Sequence, residues 1–160
     1  MTANPEDKKD LFFSDITEDM TLVTSSRTIT EYDIMLFAGM TGDMSEVHTS
    51  ATAAEETRYG ERISHGLLTL SVAAGLYMRL GYFNRSAIAF LGIQDWTFSR
   101  PVKIGDTIHA KVTMRKKYPY IKPGQGVVEW NVKVINQRGE TVSSGVWKRL
   151  IRERPETEWA

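Results

Sequence analysis

The sequence contains no cysteine among its 160 residues. Disulfide bonds, thiolate catalysis and cysteine-ligated zinc are therefore excluded, and the composition is that expected of a cytoplasmic protein. Neither sign of charge is in excess, because 20 lysines and arginines match 20 aspartates and glutamates. Proteins dedicated to nucleic acid usually carry a strong basic excess, so we expect no nucleic-acid partner.

Long apolar runs are also missing. The longest, at residues 66–80, contains Arg79 and is shorter than the roughly 20 residues that a membrane-spanning helix needs. Residues 1–10 are polar and lack the basic start and apolar stretch of a secretory signal. We therefore expect neither a signal peptide nor a membrane partner.

The remaining composition is typical of one globular domain. Apolar residues make up 41% and charged residues 25% of a chain long enough for a substantial core. We expect a single domain over residues 1–160, with its core at 19–150 and polar tails at both ends. The sequence shows no internal repeat and no linker that would divide it.

The first elements are marked by local signals. Residues 20–29 are rich in Thr, Val, Leu and Ile, which favours a strand. Thr30 followed by Asp33 matches a capping box and predicts the start of a helix. Gly42 is expected to end that helix, because glycine readily takes the positive φ of a helix C-terminus.

A loop is expected next, at residues 43–49, followed by a short helix at 51–57 that Ser50 caps. Residues 63–80 carry apolar side chains almost all the way round a helical projection. This pattern predicts a long helix enclosed by protein, which Gly81 stops.

The second half of the chain has the composition of strands. β-branched and aromatic residues dominate four segments separated by turns rich in Pro and Gly, at 86–98, 106–118, 127–136 and 140–151. One strand, then helices, then four strands predict an α+β fold in which an antiparallel sheet wraps around the long helix.

Two residues of the expected loop have side chains suited to acid–base chemistry. Asp43 and His48 stand five positions apart. A carboxylate and an imidazole brought together can bind one water molecule and exchange protons with it. The alternative is that Asp43 caps the turn and His48 caps the next segment, and spacing alone favours this structural role.

A second candidate is the start of the buried helix, at His65 and Gly66. The first N–H groups of a helix have no partner within it and carry partial positive charge. Glycine lets a substrate carbonyl approach closely, so the pair is a candidate oxyanion and substrate-binding site. The alternative is that Gly66 only permits close packing of helix and sheet and that His65 is structural.

Other polar residues carry weaker signals. His109 alternates with apolar residues and is interpreted as part of a strand. The three histidines have no regular ligand spacing and no nucleotide-binding motif is present, so we expect neither a metal nor a cofactor. Cations near strand ends can bind the phosphates of a large ligand or simply be solvated: Arg100, Lys103, Lys116, Lys117 and Lys122.

Three motifs resemble one known family. Residues 37–48, Phe-Ala-Gly-Met-Thr-Gly-Asp-Met-Ser-Glu-Val-His, with Ala54 six positions beyond, resemble the signature of MaoC-like (R)-specific enoyl-CoA hydratases. Residues 63–68, Ile-Ser-His-Gly-Leu-Leu, resemble the start of that family's central helix, and residues 98–106 resemble its strand–turn–strand segment. The resemblance covers about residues 19–150.

The resemblance implies the hotdog fold, an antiparallel sheet around a long helix, assembled as a homodimer or higher oligomer. It implies hydration of a trans-2-enoyl thioester of CoA or acyl carrier protein, or the reverse dehydration. Asp43 and His48 would activate the water, and the Gly66 N–H would hold the thioester oxygen. Met40, Met44, Met78 and Tyr77 are then candidates for an acyl pocket, although such residues at helical spacing are more often core.

The chain departs from the family between the acid and the histidine, where Ser45 and Glu46 replace the usual Asn-Pro. Ser45 still forms hydrogen bonds but with shorter reach, and the carboxylate of Glu46 is expected to raise the pKa of a nearby acid. Two other functions therefore stay open. One is an acyl-CoA thioesterase on the same fold, and the other is an acyl-thioester binding protein without catalysis.

Overall fold

An antiparallel sheet dominates the structure, a computed structural model that describes residues 10–155. The sheet has six strands in the order β1-β4-β5-β6-β3, and β2 also pairs with β4. The strands are β1 Thr21–Val23, β2 Arg27–Thr28, β3 Ala87–Phe98, β4 Thr107–Pro119, β5 Gln125–Asn136 and β6 Thr141–Arg152. The four long strands confirm the four segments predicted from composition, with bounds that differ by one or two residues.

One helix lies against the sheet. The helices are α1 Glu31–Thr41, α2 Glu46–Thr49, α3 Ala51–Glu55 and α4 Gly66–Met78. One face of α4 is buried, and alternate residues of β5 face it from the sheet, as the period of a strand requires. The core they share includes Leu68, Val72, Ala73, Leu76, Tyr77, Val128, Trp130, Val132 and Val134. The predicted α+β class and hotdog fold are confirmed.

The strand predicted at residues 20–29 is wrong as a single element. Thr24 interrupts it, because its side-chain hydroxyl accepts the N–H of Ala110 at 2.9 Å in place of a backbone carbonyl. The backbone N–H of Thr24 still reaches the Ala110 carbonyl at 3.0 Å. Two short strands, β1 and β2, therefore replace the long one.

The capping box predicted for α1 is confirmed. Asp33 donates its N–H to the Thr30 hydroxyl, and the Asp33 carboxylate accepts the Thr30 N–H at 2.9 Å. Burial alone would raise the pKa of Asp33, but the bonds from Thr30 and the charge of Arg27 outweigh it and the pKa lies below its ordinary value. The helix ends where Gly42 takes a φ of 78°.

The central helix is shorter than predicted. It begins at Gly66 because the residues before it are held as an extended segment: Ile63 bridges to Lys103, and the Ser64 N–H donates to the Val102 carbonyl at 2.7 Å. The residues predicted as a loop at 43–49 contain the short helix α2, and the helix predicted at 51–57 ends at Glu55.

The turn before β4 depends on Asp106, which is 4% exposed. Its carboxylate accepts the Lys103 N–H at 2.9 Å, the Gln137 amide at 2.5 Å and an Arg138 N–H at 3.1 Å. These bonds join the turn to the hairpin between β5 and β6. They outweigh burial and lower the pKa of Asp106, so this residue of the family-like motif has a structural role.

The buried core extends past the expected bounds of 19–150, to Phe12, Ile16 and Ile151. Within the described part of the polar tails, Arg154 pairs with Asp15 at 2.5 Å and lies over the ring of Phe12. Residues 1–9 and 156–160 lie outside the described residues. Between 10 and 155, no helix is long and apolar enough to cross a membrane.

Candidate active site

The loop after α1 brings Asp43 and His48 together. Gly42 reverses the chain, and its N–H closes the helix on the Ala38 carbonyl at 2.8 Å. His48 then comes from α2, one turn after the loop. A carboxylate oxygen of Asp43 and one ring nitrogen of each of His48 and His65 all lie within 4.8 Å of one another. The path of the loop therefore brings Asp43 and His48, five positions apart in sequence, close together in space.

The tautomer of His48 is set by its partner. Its Nδ1 lies 2.8 Å from the Ile63 carbonyl oxygen. A carbonyl can only accept, so Nδ1 carries the proton and the neutral ring has a free lone pair on Nε2. His48 lines a cleft of about 230 Å³, so the ring is placed to take a proton from a molecule bound there.

Asp43 is exposed and is held by Ser45. The Ser45 hydroxyl donates to Oδ1 of Asp43 at 2.5 Å, and the Ser45 N–H donates to the same oxygen at 3.3 Å. These two bonds lower the pKa of the Asp43 carboxyl below its ordinary value. The expectation that Glu46 raises the pKa of the acid is therefore wrong for Asp43, because the hydrogen bonds from Ser45 lower this pKa.

Gly66 is the first residue of α4, so its N–H has no carbonyl four residues earlier within the helix. A Cβ at this position would lie 3.0 Å from two atoms of the Phe98 ring. The close packing offered as the alternative explanation of Gly66 therefore exists. Since both Gly66 and Phe98 line the cleft, the packing also shapes the space in front of the N–H.

The cleft holds some of the expected site residues and not others. His48 and Gly66 line it, whereas Asp43, Ser45 and His65 do not. His65 is 2% exposed and lies behind His48, ring against ring, with centroids 3.8 Å apart. The other lining residues are Arg58, Tyr59, Ile63, Ser64, Thr69, Phe98, Ser99, Arg100, Pro101, Val102 and Val142.

Two arginines stand at this cleft. Arg100 is one of the cations for which phosphate binding and plain solvation were both left open, and its only carboxylate contact among the described residues is to Glu140 at 3.9 Å. Arg58 was not expected, and it contacts Tyr59, whose hydroxyl lies 2.8 Å from its guanidinium. Sequence reasoning missed Arg58 and Phe98 because both reach the cleft only through the fold. The only local indication of a binding role for Arg58 was its charge next to the turn at Tyr59 and Gly60.

The four lysines for which the same alternatives were left open lie outside the cleft lining. Lys103 pairs with Glu61 at 2.5 Å, and Lys116 lies 3.7 Å from Glu129. Lys117 donates to the Phe13 carbonyl at 3.1 Å. Lys122 lies in the turn between β4 and β5.

The remaining candidates are distributed through the fold. His109 is a residue of β4 opposite Ile135, as expected of a strand residue. Tyr77 is fully buried in the core and Met78 packs against it, while Met44 is exposed. Met40 lines a separate apolar groove of about 450 Å³ between α1 and α4.

Asp43, His48 and His65 also have the composition of a metal site. One nitrogen of each imidazole is already bonded to a backbone carbonyl, at 2.8 Å for His48 and 3.0 Å for His65. The planes of the two rings are tilted by 32° to each other, with the ring centroids 3.8 Å apart. Each ring therefore keeps one nitrogen that is not bonded to the backbone, and the absence of a metal stays a prediction.

The sheet wrapped around α4, with an Asp/His pair beside the start of that helix, defines a hotdog protein of the MaoC type. A family model described as the MaoC like domain matches residues 14–137, and the chain belongs to this family.

Named relatives and solved structures agree with this assignment. The chain is 41% identical over 106 residues to Protein MaoC of Klebsiella aerogenes, a match that covers 66% of this chain but 31% of that longer protein. It is 34% identical over 108 residues to an (R)-specific enoyl-CoA hydratase of Rhodospirillum rubrum, covering 68% and 72% of the two chains. An Archaeoglobus structure described as a monoamine oxidase regulatory protein has a TM-score of 0.86 at 38% identity, covering 92% of this chain and 97% of that one.

Proposed function

We propose that the protein is an (R)-specific enoyl-thioester hydratase, acting in either direction on acyl-CoA or a related thioester. The observation that carries the proposal is the acid/base pair. A carboxylate held ionised by Ser45 and an imidazole with a free Nε2 lie within 4.8 Å, beside a cleft that also contains the first N–H of α4. The family assignment and the named hydratase relative support the same reaction.

The proposed reaction uses each of these groups once. Water binds between the Asp43 carboxylate and Nε2 of His48, and one O–H bond breaks as its oxygen bonds to C3 of the enoyl group. The π electrons of the C2–C3 double bond form a C1–C2 double bond, and the carbonyl π electrons move to the thioester oxygen, where the Gly66 N–H stabilises the enolate. The acid/base pair then delivers the released proton to C2 on the same face. Water is added without net oxidation or reduction, so the reaction requires no redox cofactor.

The direct test is hydration of crotonyl-CoA and of longer and branched enoyl-CoAs, followed by loss of the enoyl-thioester absorbance. Formation of the (R)-3-hydroxyacyl product supports the proposal. Release of free thiol without hydration would instead identify a thioesterase. Tight binding of acyl-CoA with no turnover across the panel would identify a binding protein, and either result would reject the proposed reaction.

The Ser45 hydroxyl has a predicted effect on the acid. We expect Ser45→Ala to raise the pKa of Asp43 towards its ordinary value, because the larger of the two bonds that lower it is lost. The carboxylate therefore protonates at a higher pH in the variant than in the parent protein. A carboxyl NMR titration, assigned with Asp43→Asn, measures the change. Ser71→Ala, on the exposed face of α4, is the control, and an unchanged Asp43 titration in Ser45→Ala would contradict the prediction.

Arg58 and Arg100 are proposed to bind the phosphates of the carrier at the cleft mouth. We expect Arg58→Gln and Arg100→Gln each to raise KM for crotonyl-CoA about 3–10-fold, with little change in kcat, since a phosphate contact is made equally in ground and transition states. The increase should shrink at high salt.

Crotonyl-pantetheine, which lacks the phosphates, is the matched substrate for this prediction. Its KM should be the same in the parent and both arginine variants. Arg79→Gln, at the separate groove between α1 and α4, is the protein control. An equal rise in KM for crotonyl-CoA and crotonyl-pantetheine would show that the arginines shape the cleft and do not bind the carrier's phosphates.

A second copy of the chain is the proposed protein partner. Strand β3 is an edge of the sheet, because within residues 10–155 it pairs with β6 alone. An unpaired edge exposes backbone N–H and C=O groups that another strand can join. Large apolar side chains are exposed along the same strand, as expected of a surface that a homodimer covers: Ile88, Phe90, Leu91, Ile93 and Phe98.

A further inference from the structure

We infer that His65 is a positioning residue, which fixes the Asp43 loop and the His48 ring at one distance from the start of α4. This inference rests on the proposed function and deepens it. His65 is 2% exposed and does not line the cleft, so it acts through other residues and not on the substrate.

The first contact is a hydrogen bond to the acid's own backbone. Nε2 of His65 lies 3.0 Å from the carbonyl oxygen of Asp43. A carbonyl only accepts, so Nε2 carries the proton and donates it. The bond spans 22 positions of sequence and ties the loop after α1 directly to the N-cap residue of α4.

The second contact is between rings. The His65 ring lies against the His48 ring at 3.8 Å between centroids, and against the Phe37 ring of α1 at 5.0 Å. His48 is thus held from two sides, by His65 on its face and by the Ile63 carbonyl at Nδ1. Its free Nε2 has a fixed direction only while both contacts persist.

The third connection is the backbone of His65 itself. It is the N-cap of α4, and its carbonyl accepts the Thr69 N–H at 3.1 Å. Gly66, the candidate oxyanion donor, is the next residue. One buried residue therefore joins the acid, the base and the oxyanion donor, three groups that must be placed to within a fraction of an ångström for catalysis.

The other ring nitrogen allows a sharp test. Nδ1 of His65 is buried and has no partner among the described residues. The hold on the Asp43 loop therefore passes through Nε2 alone. Glutamine places an amide nitrogen near the position of Nε2, whereas asparagine places one near Nδ1 and is too short to reach the Asp43 carbonyl.

We expect kcat to fall in His65→Asn and to be largely kept in His65→Gln. His65→Asn should lower kcat for crotonyl-CoA by about 10–100-fold with KM changed by less than about threefold, because misplacement of reacting groups acts on the chemical step. His65→Gln should recover kcat to within about threefold of the parent. His109→Asn and His109→Gln, the same changes at a histidine of β4, are the controls.

Thermal unfolding and circular dichroism report whether each variant folds. If His65→Asn does not fold, His65→Phe keeps the ring contacts, lacks the donor and should show the same loss of kcat. Equal activity of His65→Asn (or of the folded His65→Phe) and the parent overturns the inference. So does a His65→Gln variant as impaired as His65→Asn.

A second readout separates this inference from the proposed reaction. Amide hydrogen exchange in residues 43–48 should be faster in His65→Asn than in the parent and unchanged in His65→Gln. This difference is expected even if the parent enzyme hydrates none of the enoyl-CoAs, a result that would reject the proposed function alone. Unchanged exchange in His65→Asn overturns the positioning role whatever the reaction is.

Discussion

His48→Gln and Asp43→Asn are each expected to lower kcat for enoyl-CoA hydration by about 10²–10⁴-fold, the usual contribution of a positioned acid or base. Glutamine cannot accept and return a proton at the position of the free Nε2 of His48. Asparagine keeps the size of Asp43 and an oxygen that can accept from Ser45, but it is neutral and is not a base. Both changes leave the fold intact, because Asp43 is exposed and His48 is only partly buried.

The measurement is the steady-state rate on whichever enoyl-CoA the parent accepts best. Asp19→Asn, at an exposed aspartate that accepts from the Thr17 hydroxyl at 2.7 Å, and His109→Gln are the matched controls. The double variant should be little worse than either single one, since the two residues act on the same water. Parent-like rates in both single variants would reject the mechanism, even if the protein is a hydratase.

Local signals were enough for much of the fold. The capping box at Thr30 and the glycine at position 42 mark the two ends of α1 in the structure, as the sequence predicts. Both act through hydrogen bonds within a few residues of each other. The start of α4 was not predictable in this way. Nothing in residues 63–65, Ile-Ser-His, excludes a helix, but the bridge from Ile63 to Lys103 holds them extended, and that partner is 40 positions away.

The same limit applies to β1 and β2. Composition favours a strand throughout residues 20–29, and only the position of the Ala110 N–H makes the Thr24 hydroxyl a better partner than the next backbone group. Such a substitution of side chain for backbone depends on a strand that comes 86 residues later. The periodicity of residues 20–29 therefore does not predict the interruption at Thr24.

For the candidate site, spacing alone favoured a structural turn, and the resemblance to the hydratase motifs gave Asp43 and His48 their proposed roles. The replacement of Asn-Pro by Ser45 and Glu46 changes the backbone conformation less than the loss of the proline implied. Ser45 has a ψ of 134° and Glu46 begins α2, the conformations that a residue before proline and a proline at a helix start adopt. The chain therefore takes the backbone path of Asn-Pro without the proline ring, and Ser45 supplies the hydrogen bonds to the acid.

Gly66→Pro is expected to lower kcat by about 10²–10³-fold relative to Gly66→Ala, the typical cost of losing one oxyanion-site donor. Proline is well tolerated as the first residue of a helix, since the N–H it lacks has no partner within the helix. His65 before it has a ψ of 137°, which is the extended conformation that proline requires of its predecessor. The change therefore removes the N–H and leaves the helix start in place.

Gly66→Ala is the matched control because both variants add a Cβ where it would lie 3.0 Å from the Phe98 ring. Alanine keeps the N–H, so its effect measures the steric cost alone, and Gly66→Ala with Phe98→Leu should recover whatever activity the contact removes. The comparison uses kcat and KM for the same enoyl-CoA, with thermal unfolding to compare stability. If Gly66→Pro and Gly66→Ala lose the same activity, Gly66 is a packing glycine and the enolate oxygen must be stabilised by another group.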